Sequence, residues 1–245
     1  MIEYRNVSVT SQTGQFILKD FSFSIGPGET VAFLGRSGAG KTTALRLVNG
    51  LIQPSSGAVL VDSQDLRTTD LIALRRRTGY VIQGVGLFPH RTVAENIATV
   101  PRLLGWTEQR IREEAETLLS KLELPWDRFA NRFPRSLSGG EQQRVGIARS
   151  IISSPSILLC DEPFASLDPL VRRDLQRAFA AVNRERRTTM IFVTHDVYEA
   201  LQVAERIVLI DDGSVVLDCR SARFLQSKLP LARRFAETLM MGATA

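Results

Sequence analysis

The sequence predicts an α/β fold: a mostly parallel, buried sheet, preceded by an antiparallel β-rich segment and interrupted by a helical insert. Alternating and β-branched residues fill Ile2 to Ile25, short apolar runs recur at crossover spacing, and one long stretch between them repeats with the helical period. Composition agrees. The 245 residues are 44% hydrophobic with a net charge of +5, which excludes a disordered or collagenous chain.

Taken in order, Val7, Val9 and the alternation Phe21, Phe23, Ile25 read as antiparallel strands around a turn at Ser11 to Gly14. Pro27-Gly28 is a second turn, and Val31 to Leu34 a buried strand. After a glycine-rich loop, Ala44, Leu45, Leu47 and Val48 fall at helical spacing. Runs at Tyr80 to Ile82, Ile157 to Cys160, Met190 to Val193 and Ile207 to Ile210 lie far enough apart for crossover helices, which implies a parallel sheet. Between about residues 84 and 150 the pattern turns helical: Thr107 caps a helix with Ile111, Ala115, Leu118, Leu119 and Leu122 on one face. Asp211-Asp212-Gly213 reads as a hairpin turn, followed by a helical tail.

Cys160 sits in an apolar run and Cys219 far from it, which argues for a reducing compartment, the cytosol. Met1 to Asn6 place an acid and a base, Glu3 and Arg5, where a signal peptide needs a charged start followed by an apolar stretch, so no export signal is expected. The uncharged stretch Leu47 to Val61 is broken by Asn49, Gln53 and Pro54, and a span needs about 20 apolar residues, so no membrane span is expected. Basic residues are dispersed at Arg75 to Arg77, Arg186-Arg187 and Arg233-Arg234, the pattern of solvated faces, and no nucleic-acid partner is expected.

Gly35-Arg36-Ser37-Gly38-Ala39-Gly40-Lys41-Thr42 fits the P-loop pattern, between an apolar strand and a helix. Its glycines let consecutive N–H groups face phosphate oxygens, Lys41 reaches the β- and γ-phosphates, and Thr42 offers a hydroxyl to Mg2+. The plainer alternative is a glycine-rich strand-to-helix turn. Asp161 and Glu162 follow the run Ile157 to Cys160, where Asp161 is suited to Mg2+ and Glu162 to a water attacking a phosphate; a solvated turn is the alternative. Ser138 with Glu141 three residues on has the form of a capping box. Gly139 and Gly140 between them cost a helix about 1 kcal/mol each relative to alanine, which points to a second role, bare N–H groups open to an anion.

Gly35 to Thr42, Gln83, Leu137 to Gln142, Leu158 to Glu162, Ser166-Leu167-Asp168 and His195 occur in the order and approximate spacing of ABC-transporter ATPase subunits, which the chain resembles from about Ile2 to Asp218. The resemblance implies a P-loop NTPase ABC ATPase fold, with a RecA-like, mostly parallel core, an antiparallel β-subdomain and an inserted α-helical subdomain. It implies one ATPase domain over residues 1–218, with the helical insert at about 84–150, and a helical tail over 219–245. It further implies ATP and Mg2+ as cofactors and an ATP-dependent homodimer, each ATP held by Gly35 to Thr43 of one subunit and Ser138, Gly139, Gly140 and Glu141 of the other. In that scheme Gln83 senses Mg2+ and the permease, Asp161 and Thr42 hold the metal, Glu162 and His195 are catalytic, and Asp168 spans the dimer. Asp168-Pro169 also makes a good helix start, and the two roles are compatible.

Two departures stand out. The stretch Ser11 to Gly14, where many family members carry an adenine-stacking aromatic, has none, and Phe16 is the nearest candidate. Glu141 replaces the glutamine often found in the signature and keeps the capping geometry. Gly79 to Gln83, Gly86 to His90 and Ala94 to Pro101 are similar to ATPases of osmoprotectant importers for glycine betaine, carnitine or choline. That likeness implies permease subunits, an indirectly associated substrate-binding protein, and a peripheral location on the cytoplasmic face of the plasma membrane. Many members of that group carry CBS domains after the ATPase; none is expected here. Two alternatives stand beside it: an ABC ATPase for another solute such as amino acids, imported or exported, and a soluble ABC ATPase acting on ribosomes or nucleic acid. One cassette with a short helical insert favours transport.

Overall fold

A computed structural model describes residues 1–165 and 167–241. β1 (Ile2–Thr10) and β2 (Phe16–Ile25) pair antiparallel, Ile2 opposite Ile25. The turn between them is closed by Gly14 N–H donating to Ser11 O at 3.0 Å. Then come β3 (Thr30–Leu34), α1 (Lys41–Val48), β4 (Ser56–Val61), β5 (Gln64–Asp65), α2 (Leu71–Arg76) and β6 (Thr78–Val81). The helical stretch holds α3 (Val93–Ile97), α4 (Thr99–Leu103), α5 (Glu108–Lys121), α6 (Trp126–Phe129) and α7 (Gly139–Ile151). β7 (Ile157–Asp161), α8 (Pro169–Arg186), β8 (Thr189–Thr194), α9 (Val197–Val203), β9 (Arg206–Asp211), β10 (Ser214–Arg220), α10 (Ser221–Phe224) and α11 (Pro230–Met241) complete the described chain. Two compact units result, one of Met1–Leu74 with the chain from Thr189 on, the other of Arg75–Thr188.

In the first unit, β1 lies between β2 and β4, antiparallel to both, and β5 extends the sheet beyond β4. β3 lies between β8 and β9, parallel to both, and β10 pairs antiparallel with β9. Every residue of β3 and β8 is buried, as is Ile207 to Ile210 of β9, which is why these strands read as unbroken apolar runs rather than alternations. The Asp212-Gly213 turn between β9 and β10 has φ of 43° and 73°, the left-handed pair that a two-residue hairpin demands. The core is aromatic, with Tyr4–Phe21, Phe21–Phe33 and Phe23–Phe33 packed edge to face at 5.2, 6.2 and 5.8 Å. Burial pushes the Tyr4 hydroxyl's pKa up, and it donates to Ala44 O of α1 at 2.9 Å, tying β1 to the helix that follows the glycine-rich loop.

In the second unit, β6 and β7 run parallel, in register from Thr78↔Ile157 to Val81↔Cys160. β6 stops at Val81, so Ile82, expected within the strand, leaves it and is partly exposed. α5 forms as its period predicts: Thr107 Oγ1 accepts from Arg110 N–H at 3.3 Å, and Ile111, Ala115, Leu118 and Leu119 are buried. α8 begins at Pro169, directly after Asp168, as the Asp-Pro pair predicts, and Phe164 packs edge to face on Phe179 at 5.8 Å. Among the described residues no helix is long and apolar enough to cross a membrane.

Candidate functional site

In the first unit the site is built on the carboxyl end of β3. Leu34 pairs with Thr194, so Gly35 and His195 leave the same end of two adjacent parallel strands, the edge where ligands bind open α/β sheets. Arg36, Ser37 and Gly38 are exposed at the tip of the loop, Ala39 and Gly40 are buried, and Thr42 and Thr43 are half-buried on the first turn of α1. Gly40 caps α1 with φ of 96°, and a Cβ there would fall 2.7 Å from Ile17 O, a conformation and a space that only glycine accepts. α1 has neither a side-chain cap at Gly40 nor an acidic residue in its first turn, so the positive end of its dipole favours an anion. Lys41, only 4% exposed, donates from Nζ to Gly35 O at 2.8 Å and Arg36 O at 2.7 Å, which lays the cation along the loop. His195 is exposed, while its neighbours are fixed: Thr194 Oγ1 donates to Glu199 Oε2 at 2.6 Å, and Asp196 caps α9 through Tyr198 N–H at 2.8 Å. Phe16, the nearest aromatic for a nucleobase, is 58% exposed beside Ile17, with Lys19 Nζ 5.9 Å from its ring centre.

In the second unit the structure brings Gln83 and Glu162 together. Each lies two residues beyond the paired Val81 and Cys160, and Gln83 Nε2 donates to Glu162 Oε2 at 3.3 Å. Glu162 has φ of 46°, a left-handed backbone that is costly for a side-chain-bearing residue and that turns the chain sharply off β7. Asp161 is fully buried at the strand's end, where a carboxylate is costly without donors or a cation, which fits an oxygen ligand for Mg2+. Burial, with the charge of Asp161 adding, pushes the Cys160 thiol well up and leaves it inert.

The capping box is present at α7: Glu141 N–H donates to Ser138 Oγ at 3.2 Å, and Ser138 N–H to Glu141 Oε2 at 2.7 Å. It leaves the Gly139 position open, and a Cβ there would touch nothing within 4 Å. Ser138, Gly139, Gly140, Glu141 and Asp168 line one cavity of about 530 Å3. Glu123, Arg128, Phe129 and Arg144 line it as well, residues that no local pattern singled out. Arg144 Nη1 donates to Leu122 O at 2.8 Å and Glu123 Oε2 at 2.6 Å, while Glu123, at φ of 58°, holds the position after α5 that usually favours glycine. Ser166, part of the motif before Asp168, lies outside the described residues.

The ABC transporter family matches residues 18–165. This chain belongs to that family. It is 43% identical over 216 residues to the carnitine transport ATP-binding protein OpuCA of Listeria monocytogenes, covering 88% of this chain and 54% of that one. It is 42% identical over 216 residues to the glycine betaine uptake system ATP-binding protein YehX of Escherichia coli, covering 88% of this chain and 70% of that one. The chain therefore spans about half the length of the first of these relatives. An ATP-binding cassette solved as a dimer in a post-hydrolysis state, bound to ADP and phosphate, superposes with a TM-score of 0.81 at 34% identity, over 90% of this chain and 99% of that one. The fold of this family member is the ABC ATPase cassette.

Proposed function

We propose that this chain is the ATP-hydrolysing subunit of an ABC transporter that energises import of a quaternary-amine osmoprotectant such as glycine betaine. It works as an ATP-dependent homodimer on the cytoplasmic face of the plasma membrane, docked on permease subunits that a substrate-binding protein serves. The observation that carries this reading is the likeness across 88% of the chain to proteins named for carnitine transport and glycine betaine uptake.

The residues divide the chemistry. The loop N–H groups from Gly35 to Thr43 and the Lys41 cation bind the phosphates of ATP. Thr42, Asp161 and Gln83 each carry an oxygen donor of the kind Mg2+ takes. When bound, Mg2+ neutralises charge on the phosphate oxygens. Glu162 accepts a proton from the water that attacks the γ-phosphorus, and the Gln83 amide holds that carboxylate; ADP leaves, and the proton is released with phosphate. His195 steadies the γ-phosphate. Ser138, Gly139, Gly140, Glu141 and Asp168 meet the nucleotide of the other subunit.

The test is a pull-down of the tagged chain from detergent-solubilised membranes of its native host, with mass spectrometry and a parallel ATPase assay. A polytopic permease recovered with a binding protein for quaternary amines is the expected result. Ribosomal or nucleic-acid proteins recovered without a permease would overturn the transport reading and leave the ATPase chemistry standing.

A further inference from the structure

We propose that Arg149 is a positioning residue that clamps the segment after Gln83 onto α7, so that this segment moves with the helix whose other end carries Ser138 and Gly139. Arg149 Nη1 donates to Gly86 O at 2.8 Å, and its guanidinium carbon lies 5.6 Å from the centre of the Phe88 ring. Among the described residues no carboxylate pairs with this arginine, although burial pulls its pKa down. A half-buried guanidinium held by a main-chain carbonyl and an aromatic face, rather than by an acid, serves to fix a backbone.

A second contact lies on the same face of α7. Gly146, three residues earlier, brings the helix so close that a Cβ there would sit 3.3 Å from Val85 O. The far end of the segment is fixed independently by Asn96 of α3, which is fully buried. Its Oδ1 accepts from Phe88 N–H at 2.8 Å, and its Nδ2 donates to the carbonyls of Phe88, Arg91 and Thr92 at 3.2, 3.1 and 3.0 Å. The chain from Gly86 to Thr92 is thus pinned at both ends, and Gln83 reaches Glu162 from its near side.

From Ser138 to Arg149 the helix spans roughly 16 Å at 1.5 Å per residue. A displacement at its capped end is carried through one rigid rod to Gly86, and from there to the amide of Gln83. Arg149 touches neither nucleotide nor reacting atoms in this scheme; it acts through Gln83. The coupling half of the inference rests on the nucleotide reading above, whereas the clamp itself does not.

The experiment is hydrogen exchange on the purified full chain, wild type, Arg149→Gln and Arg149→Lys, without ligand and with a non-hydrolysable ATP analogue and Mg2+. Loss of the Gly86 hydrogen bond is expected to speed exchange of the amides from Gly84 to Arg91 about tenfold in ligand-free Arg149→Gln, leaving residues 141–148 of α7 unchanged, with Arg149→Lys between the two. With the analogue, wild type is expected to slow exchange in both segments, Arg149→Gln in α7 alone. Steady-state hydrolysis then separates positioning from binding: kcat falls about tenfold in Arg149→Gln while KM for ATP stays within about twofold. Unchanged ligand-free exchange at Gly84 to Arg91 overturns the clamp, and an intact response of that segment to the analogue in Arg149→Gln overturns the coupling. A variant that exchanges faster everywhere refers the result to Arg149→Lys, where the same two outcomes decide. A wild-type chain that ignores the analogue overturns the nucleotide reading and the coupling together, and the ligand-free arm still decides the clamp.

Discussion

Gly40→Ala isolates what the glycine-rich loop costs and why its backbone takes the form it does. At φ of 96° alanine bears a left-handed penalty of about 1–2 kcal/mol. Its Cβ would also stand 2.7 Å from both Ile17 O and Leu18 Cδ2, closer than real Cβ contacts, and forcing the two apart costs about 1–3 kcal/mol. The stiffer unfolded chain returns about 0.4–1 kcal/mol. The net loss is about 3 kcal/mol, which lowers the melting temperature by roughly 6–12 °C for a chain of this size. Gly38→Ala is the internal control, because φ there is 83° but a Cβ meets nothing within 4 Å. Backbone strain alone predicts a loss of about 0.5–1 kcal/mol for it. Thermal melts of both variants by far-ultraviolet circular dichroism measure the difference. Equal shifts, or a Gly40→Ala shift as small as that of Gly38→Ala, would refute the argument that Ile17 packs against the loop.

Gly139→Ala is expected to run the other way: helical and sterically open, it stabilises the chain by up to about 1 kcal/mol in denaturant titration, yet lowers ATP turnover by blocking close approach of an anion to α7. Gln83→Ala removes the 3.3 Å bond to Glu162, and kcat is expected to drop about tenfold or more with little change in KM, read by steady-state hydrolysis; a pure KM effect would place Gln83 in binding alone. Phe16→Ala tests the exposed ring beside the loop: a loss of ATP affinity of up to about tenfold by calorimetry, with inorganic triphosphate affinity unchanged, assigns it to the base, and equal affinity for ATP excludes it.

The parts of the fold legible in the sequence are those fixed by neighbours along the chain. The Ser138–Glu141 capping box, the Thr107 cap with its apolar face and the Asp212-Gly213 turn each depend on residues within one or two turns, and each forms as its spacing predicts. The glycine-rich loop was legible for the same reason, although the direction of Lys41, back along its own loop, was not. The contacts that organise the second unit lie far apart in sequence. Gln83 meets Glu162 only because β6 and β7 pair in parallel, and Arg149 meets Gly86 only because α7 packs against the segment that follows β6. The left-handed backbones of Glu123 and Glu162 were hidden too, since glutamate carries no local preference for such a turn and tertiary context imposes it. Asn96 looks like a polar helix residue in sequence and emerges as a buried clamp once its four main-chain partners are in place.

The most direct measurement is uptake of labelled glycine betaine by right-side-out vesicles loaded with ATP and carrying the native complex, with wild-type chain or Glu162→Gln. Import driven by this chain predicts accumulation with wild type and at least about a hundredfold slower hydrolysis with no accumulation in the variant, which still binds ATP. Equal uptake with both chains, or ATP hydrolysis by wild type that leaves the labelled solute outside under every condition, would contradict it.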